Sequence, residues 1–382
     1  MEEIYLDNSA TTKPYPEVAE KVIEMLTKYY GNPSSIHRLG LESKSEVETA
    51  RKNLADSLAV HPSEIYFTSG GTESNNIAIK GACLAKSNIG NHIVTTVAEH
   101  PSVTKTVRDL KRQGWKVSYI PVRNGKLNIE KLENAIQTNT VLVSTMLVNN
   151  ETGYIFPVRK IKEIIERKNS SALLHCDAVQ GYGKLPFTAD SLGADLITIS
   201  SHKIHGPKGV GALYVKKDTP LYSLHLGGGQ ERGLRSGTEN TPSIAGFGVA
   251  VKRTFDNMEE NVTHIREIRD YCLESVQNKL PQAILHSSKY GAPHIVHFSL
   301  PGFLNSEVVT ELSRQNIFIS GAAACKSNHS RGPSMLESLG LTREMANSAL
   351  RISLSYQNTK EDIDRLINGL KQINTLKELA EK

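Results

Sequence analysis

The chain has no long apolar run. Nothing in it approaches the roughly 18–20 consecutive apolar residues that a membrane-spanning helix requires, so no membrane partner is expected. It also lacks blocks of one charge. Lys and Arg number 45 against 40 Asp and Glu, a net charge of +5, and the longest basic runs are pairs such as Lys111-Arg112 and Lys216-Lys217. Proteins that hold nucleic acid gather basic residues into patches or tracts, so direct nucleic-acid binding is not expected either. Cysteine is scarce: Cys83, Cys176, Cys272 and Cys325 are the only four. They stand too far apart for a zinc knuckle or a CxxC pair, which predicts no metal site and four free thiols in a reducing compartment. The first residues, Met1-Glu2-Glu3-Ile4-Tyr5-Leu6-Asp7, carry neither the basic flank nor the apolar stretch of a secretion signal, and a cytoplasmic location is the expectation. There is no internal repeat and no low-complexity tract. No GxGxxG and no GxxxxGK[ST] occurs, which disfavours a dinucleotide or a P-loop nucleotide as ligand.

What is present is alternation. The 382 residues, 38% apolar and 22% charged, suffice for two domains or one large domain with an appendage. Strand-like runs recur at 64–68, 92–96, 117–120, 141–144, 172–175, 196–199 and 211–215, with helical patterns near 72–87, 101–113, 128–137 and 157–168 between them. Strands alternating with helices predict an α/β fold with a mostly parallel sheet covered by helices. After about residue 240 the texture changes to one long helical stretch near 240–280, then strand-like runs at 295–300, 317–320 and 350–354 and helices near 305–314 and 359–376. That predicts a smaller α+β C-terminal domain over 256–382 behind a large domain over 16–255. Residues 1–15 fit either.

Ligands of such sheets bind beyond the carboxyl ends of the strands, so the strand ends carry the chemistry. The first ends in Thr68-Ser69-Gly70-Gly71-Thr72. Free N–H groups and a hydroxyl at a helix start suit a phosphate, although a simple capped turn has the same composition. The second ends in Glu99-His100-Pro101, where His100 could lie against a ring or only cap the next helix. Others end in Asn149-Asn150-Glu151-Thr152-Gly153 and in Asp177-Ala178-Val179-Gln180. A partly buried Asp177 needs a partner, which a pyridinium nitrogen or a local cap would provide. The last delivers Ser200-Ser201-His202-Lys203 to the ligand edge. A lysine in an enclosed, cationic place is a usual Schiff-base nucleophile, whereas Lys208 reads as an ordinary surface lysine. A phosphate cradle, a stacking histidine, an aspartate for a ring nitrogen and a lysine for an aldehyde together match pyridoxal 5'-phosphate.

With these segments, and with Tyr5-Leu6-Asp7-Asn8-Ser9-Ala10-Thr11-Thr12, Gly31-Asn32-Pro33-Ser34-Ser35 and Arg235-Ser236-Gly237-Thr238, the chain resembles the class V aminotransferase family over nearly its whole length. Within that family it resembles the NifS/IscS-like cysteine desulfurases. The resemblance implies the type I fold of pyridoxal-phosphate-dependent transferases. It implies that Gly71, Thr72, Ser200 and His202 hold the phosphate, that His100 stacks on the ring, and that Asp177 pairs with the ring nitrogen. Asn150 and Gln180 would bond the ring hydroxyl, Lys203 would link covalently to the cofactor, and Arg351, with Asn150, would bind the substrate carboxylate. Thr238 would reach the phosphate of a second subunit, which implies a homodimer.

The implied reaction takes L-cysteine to L-alanine and leaves sulfur as a persulfide on a loop cysteine. The sequence offers Gly321-Ala322-Ala323-Ala324-Cys325-Lys326-Ser327-Asn328-His329-Ser330-Arg331. Small residues precede the thiol, and Lys326, His329 and Arg331 would favour its thiolate. The usual Ser-Gly-Ser-Ala-Cys run of the family is replaced by Gly321-Ala322-Ala323-Ala324-Cys325, a departure that bears on rate and on the choice of acceptor. The implied acceptor is a protein, an iron–sulfur scaffold or a tRNA-thiolating enzyme. Alternative readings are a selenocysteine lyase or an aminotransferase on the same fold, or a non-catalytic sulfur-relay partner.

Overall fold

The structure is a computed structural model, and it describes residues 2–168, 170–321 and 335–380, the last seven of these by backbone alone. Seven strands form the main sheet: β1 (Ile65–Thr68), β2 (His92–Thr96), β3 (Lys116–Ile120), β4 (Thr140–Met146), β5 (Leu173–Asp177), β6 (Leu196–Ser200) and β7 (Gly211–Val215). Their order is β1-β7-β6-β5-β4-β2-β3. All neighbours run parallel except β7, which is antiparallel to both β1 and β6. Reversing twice restores direction, so the carboxyl ends of β1, β2, β4, β5 and β6 lie along one edge. Strands β4 to β7 are buried at every residue. This is the pattern of a sheet covered on both faces, and it explains why they read as unbroken apolar runs rather than alternating ones.

The helices that follow the strands start close to where the sequence places them. They are α1 (Gly71–Ala85), α2 (Pro101–Arg112) and α3 (Val158–Arg167). The long helix expected over 240–280 is instead two, α4 (Thr241–Asp256) and α5 (Met258–Lys279). Asn257 lies between them at φ −117°, ψ 16°, and its side-chain amide donates to the carbonyl of Arg253 at 2.8 Å. An asparagine that bonds its own backbone competes with the helix ladder. The packing partners change at this break. Ile244, Phe247, Ala250 and Val251 join the core of the main sheet, whereas Ile265, Ile268, Cys272 and Val276 join a second core with Val296, Phe298, Leu312, Ile352 and Leu366. The second core packs on an antiparallel sheet of four strands, β8 (Ile284–Leu285), β9 (Ile295–Ser299), β10 (Ser320–Gly321) and β11 (Ala349–Ser353), in the order β8-β9-β11-β10. Ile4 and Leu6 also belong to this core, while Tyr15 belongs to the first. Ile4–Tyr5 pairs in parallel with Ile317–Phe318. Among the described residues no helix is long and apolar enough to cross a membrane.

One buried ion pair ties the outer helix Arg38–Leu58 to β1. The Arg51 guanidinium meets Glu231 through two hydrogen bonds, 2.8 and 2.9 Å, with both side chains almost fully buried. Arg51 also donates to the Ile65 carbonyl at 2.8 Å, and Glu231 accepts the Phe67 amide at 2.8 Å. Breaking such a pair leaves an uncompensated buried charge, at a cost of about 3–5 kcal/mol. Glu231→Gln is therefore expected to lower the unfolding free energy by about that amount in urea titrations, with the double variant Arg51→Met/Glu231→Leu recovering part of the loss. An unchanged midpoint in Glu231→Gln would remove the pair from the account of stability.

Candidate functional site

The strand ends enclose a cavity of about 510 Å³. Gly71, Thr72, His100, Asn150, Asp177, Gln180, Ser200, His202, Lys203 and Arg351 all line it. These are ten of the residues singled out from the sequence. Two are not among them. Thr238 is exposed and lines a separate groove with Ser69 and Arg235. Cys325 lies outside the described residues, although Ser320 and Gly321, shortly before it in sequence, line the cavity.

At one end of the cavity, α1 begins at Gly71 with no side chain capping it, which leaves its first N–H groups to a ligand. The preceding Gly70 has φ +148°, a backbone that side-chain-bearing residues avoid. A Cβ on Gly71 would come within 2.9 Å of Val179 Cγ2. Both glycines therefore have steric reasons to be glycines, and the result is a cradle of amides flanked by Thr72, Ser200 and His202. Burial and the positive charges of Lys203, Lys208 and Lys184 push the His202 imidazole down to about 4. It is neutral at pH 7 and acts as a hydrogen-bonding group, bonded through Nδ1 to Thr11 Oγ1 at 3.2 Å.

At the centre, Asp177 closes β5. Its Oδ1 accepts the Val179 amide at 3.1 Å and its Oδ2 accepts Asn75 Nδ2 at 2.8 Å. The same Asn75 nitrogen donates to Ser102 Oγ at 2.8 Å, which uses both its hydrogens. Ser102 Oγ is then free to donate to His100 Nδ1, 2.8 Å away, and the Ser102 amide donates there as well. Nδ1 of His100 is thus an acceptor and the ring proton sits on Nε2. Protein around the ring lowers its basicity further, and Lys203 adds to this while Asp177 opposes it. His100 is exposed and lines the cavity, with its ring neutral and the proton on Nε2. Gln180 is oriented in a similar way. Its Nε2 donates to the Ser9 carbonyl at 2.9 Å, so its Oε1 faces His294 Nε2 at 3.3 Å. One amide hydrogen remains for the cavity.

Lys203 follows β6 on a short 3-10 turn, Ser201–Lys203. Its Nζ donates to the carbonyls of Ser9 and Ala10, at 2.5 and 2.8 Å. Burial, reinforced by the Arg351 charge, pulls it down to about 8 against the opposing pull of Asp7, Asp177 and Glu151. Behind it, the buried Lys184 donates to the Lys203 carbonyl at 2.6 Å, and burial lowers Lys184 itself to about 7. On the far side, Arg351 of β11 donates to the Asn150 carbonyl at 2.9 Å, to Glu151 at 3.2 Å and to Asp7 at 2.8 Å.

Sequence reasoning missed Asn75, Ser102, Glu151, Asp7, Lys184 and His294. Glu151 and Asp7 sit inside the quoted motifs, and Asn75 three residues past the Gly71-Thr72 run, without having been given roles. Lys184 and His294 carry no local signal at all, because only the packing sets them against the cavity residues Lys203 and Gln180.

The chain belongs to the class V aminotransferase family, whose sequence model matches residues 4–366. Within that family it stands with the cysteine desulfurases. It is 39% identical to the cysteine desulfurase IscS of Clostridium botulinum over 375 residues, 97% of this chain and 94% of that one. The solved structure of a NifS-like protein superposes with a TM-score of 0.92 at 37% identity, covering 98% of this chain and all of the other. SspA, solved in complex with cysteine, superposes with a TM-score of 0.81 at 32% identity, covering 93% of this chain and all of the other.

The depressed basicity of Lys203 has a direct readout. Its reactivity toward acetic anhydride in the cofactor-free protein is expected to reach half-maximum near pH 8, against about 10.4 for an ordinary lysine. Peptide mapping across a pH series measures this, and a midpoint above 10 would contradict the electrostatics described.

Proposed function

We propose that the chain is a pyridoxal-phosphate-dependent cysteine desulfurase that converts L-cysteine to L-alanine and carries the sulfur away as a persulfide on Cys325. The observation that supports this most is that Lys203 Nζ, the Asp177 carboxylate, the uncapped start of α1 and the Arg351 guanidinium all border one cavity. The donor set fits the cofactor. The Gly71–Thr72 amides, Ser200 and His202 would hold its phosphate, and a Cβ on Gly71 would crowd Val179. Asp177, with both oxygens fixed by N–H donors, would hold the ring nitrogen in its protonated form. Asn150 and Gln180 each have an amide hydrogen to spare for the ring hydroxyl, and Lys203 is the amine for the aldehyde. When bound, pyridoxal phosphate supplies an electron sink that eases removal of the α-proton of an amino acid.

The residues then divide the work. Arg351 holds the substrate carboxylate through its planar fork. Lys203, half neutral near pH 8, serves as the base at the α-carbon once released. The Cys325 thiolate attacks the substrate sulfur. An S–S bond forms, the carbon–sulfur bond breaks, and the proton needed at the new methyl carbon comes from a neighbouring acid. His100, which lines the cavity and keeps its proton on Nε2, would carry such transfers. The three described cysteines are poor candidates for this role. Cys83, Cys176 and Cys272 are buried, and burial raises all three thiols, Cys272 to about 12. The reading includes a homodimer in which Thr238 contributes to the partner's phosphate site, and a protein acceptor for the sulfur. It also places the chain in the cytoplasm, where a free thiol stays reduced.

Cys325→Ser is expected to retain the coloured cofactor and to lose sulfide release from L-cysteine in the presence of a reductant by at least about 100-fold, since no other thiol can replace a positioned nucleophile. Sulfide release at the wild-type rate by this variant would eliminate the mechanism. Native-state labelling with iodoacetamide tests the same assignment. One modified thiol, at Cys325, is expected, and modification at Cys83, Cys176 or Cys272 instead would contradict it.

A further inference from the structure

The guanidinium of Arg351 is not an empty anion site. It is 5% exposed and already meets two carboxylates, Asp7 at 2.8 Å and Glu151 at 3.2 Å. Yet it has not used all its donors, because its Nε is buried without a hydrogen-bond partner. Glu151 is half satisfied in the same way. Its Oε1 accepts from Arg351 and from Asn150 Nδ2 at 3.0 Å, while its Oε2 is buried without a partner. Both residues line the cavity. A ligand carboxylate that docks on Arg351 becomes the third carboxylate around one guanidinium. Three carboxylates around one largely buried guanidinium repel one another, and one carboxyl then holds a proton.

We propose that Glu151 takes up that proton on its buried, unpartnered Oε2 when a carboxylate ligand engages Arg351. Glu151 is a better acceptor for the proton than Asp7. Its side chain is 6% exposed against 22% for Asp7, and burial already raises its pKa, with Asp7 adding to the rise and Arg351 and Lys203 opposing it. The charged or titratable groups around it among the described residues are Arg351 from β11, Asp7 from the N-terminal segment and Lys203 after β6. His297, opposite Arg351 on β9, is buried, and burial keeps it neutral. Glu151 would thus couple substrate binding to pH, and this rests on the reading of Arg351 as the substrate-carboxylate clamp.

Propionate, which lacks both the amine and the thiol of the substrate, isolates the carboxylate. Its binding to the holoenzyme, measured by calorimetry at pH 7.5 in buffers of different ionisation enthalpy, counts protons directly. Wild type is expected to take up close to one proton per propionate, with affinity weakening up to about tenfold per pH unit as pH rises above the free-state pKa of Glu151, as one-proton linkage requires. Glu151→Gln is expected to bind without uptake, and Glu151→Asp, which keeps an ionisable group, to restore it. Binding by wild type without proton uptake, or equal uptake in Glu151→Gln, overturns the proposal. A separate result would overturn the clamp itself: propionate binding by Arg351→Gln as tight as by wild type.

Discussion

The segment Asp7–Thr12 is what holds the cavity together. It runs between the two sheets and bonds to both. Asp7 meets Arg351 of the smaller sheet, the carbonyls of Ser9 and Ala10 receive the Lys203 amine, and Ser9 also receives Gln180. Thr12 bonds His202 through its amide and its hydroxyl, at 2.9 and 3.0 Å, and accepts the His205 amide at 2.7 Å. The isolated bridge between Asp7 and Ser353 and the bond from the Ser9 amide to Ser353 Oγ fasten the segment to β11. A few backbone carbonyls therefore set the distance between a lysine on one core and an arginine on the other. Buried carbonyls and amines without partners are costly, so each bond enforces its neighbours.

The electrostatics follow from this enclosure. Lys203, Lys184, Arg351, Asp7, Glu151 and Asp177 lie close together in a space largely closed to water, and their charges nearly balance. Lys203 and Lys184 titrate below their ordinary range and Glu151 above it, mainly because of burial and then because of neighbouring charges. Lowered amines beside a raised carboxyl are what proton transfer at an amino acid needs. The neutral histidines around the site, His100, His202 and His294, consequently act through fixed tautomers and hydrogen bonds rather than through charge.

Much of this was legible in the chain. Apolar runs separated by helical patterns gave the mostly parallel sheet, and the glycine pair, Asp177 and Lys203 stood at strand ends because such sheets bind ligands there. The helix over 240–280 was misread as continuous because Asn257 is a mild local signal whose effect depends on its bond to Arg253. The roles of Lys184 and His294 were not legible. Neither lies in a strand-end motif, and each meets the cavity only through another residue, Lys203 and Gln180 respectively.

By itself the sequence determined which elements form and which reactive side chains they carry. Apolar periodicity, glycines at forbidden backbone angles and the identity of strand-end residues are local properties of the chain. Only the tertiary structure decided what those side chains face. The antiparallel insertion of β7 beside β1, the N-terminal segment laid between the sheets and the carboxylates gathered on Arg351 arise from contacts between distant parts of the chain. Burial and neighbouring charge, which set the basicity of Lys203 and the acidity of Glu151, exist only after the chain has closed around them.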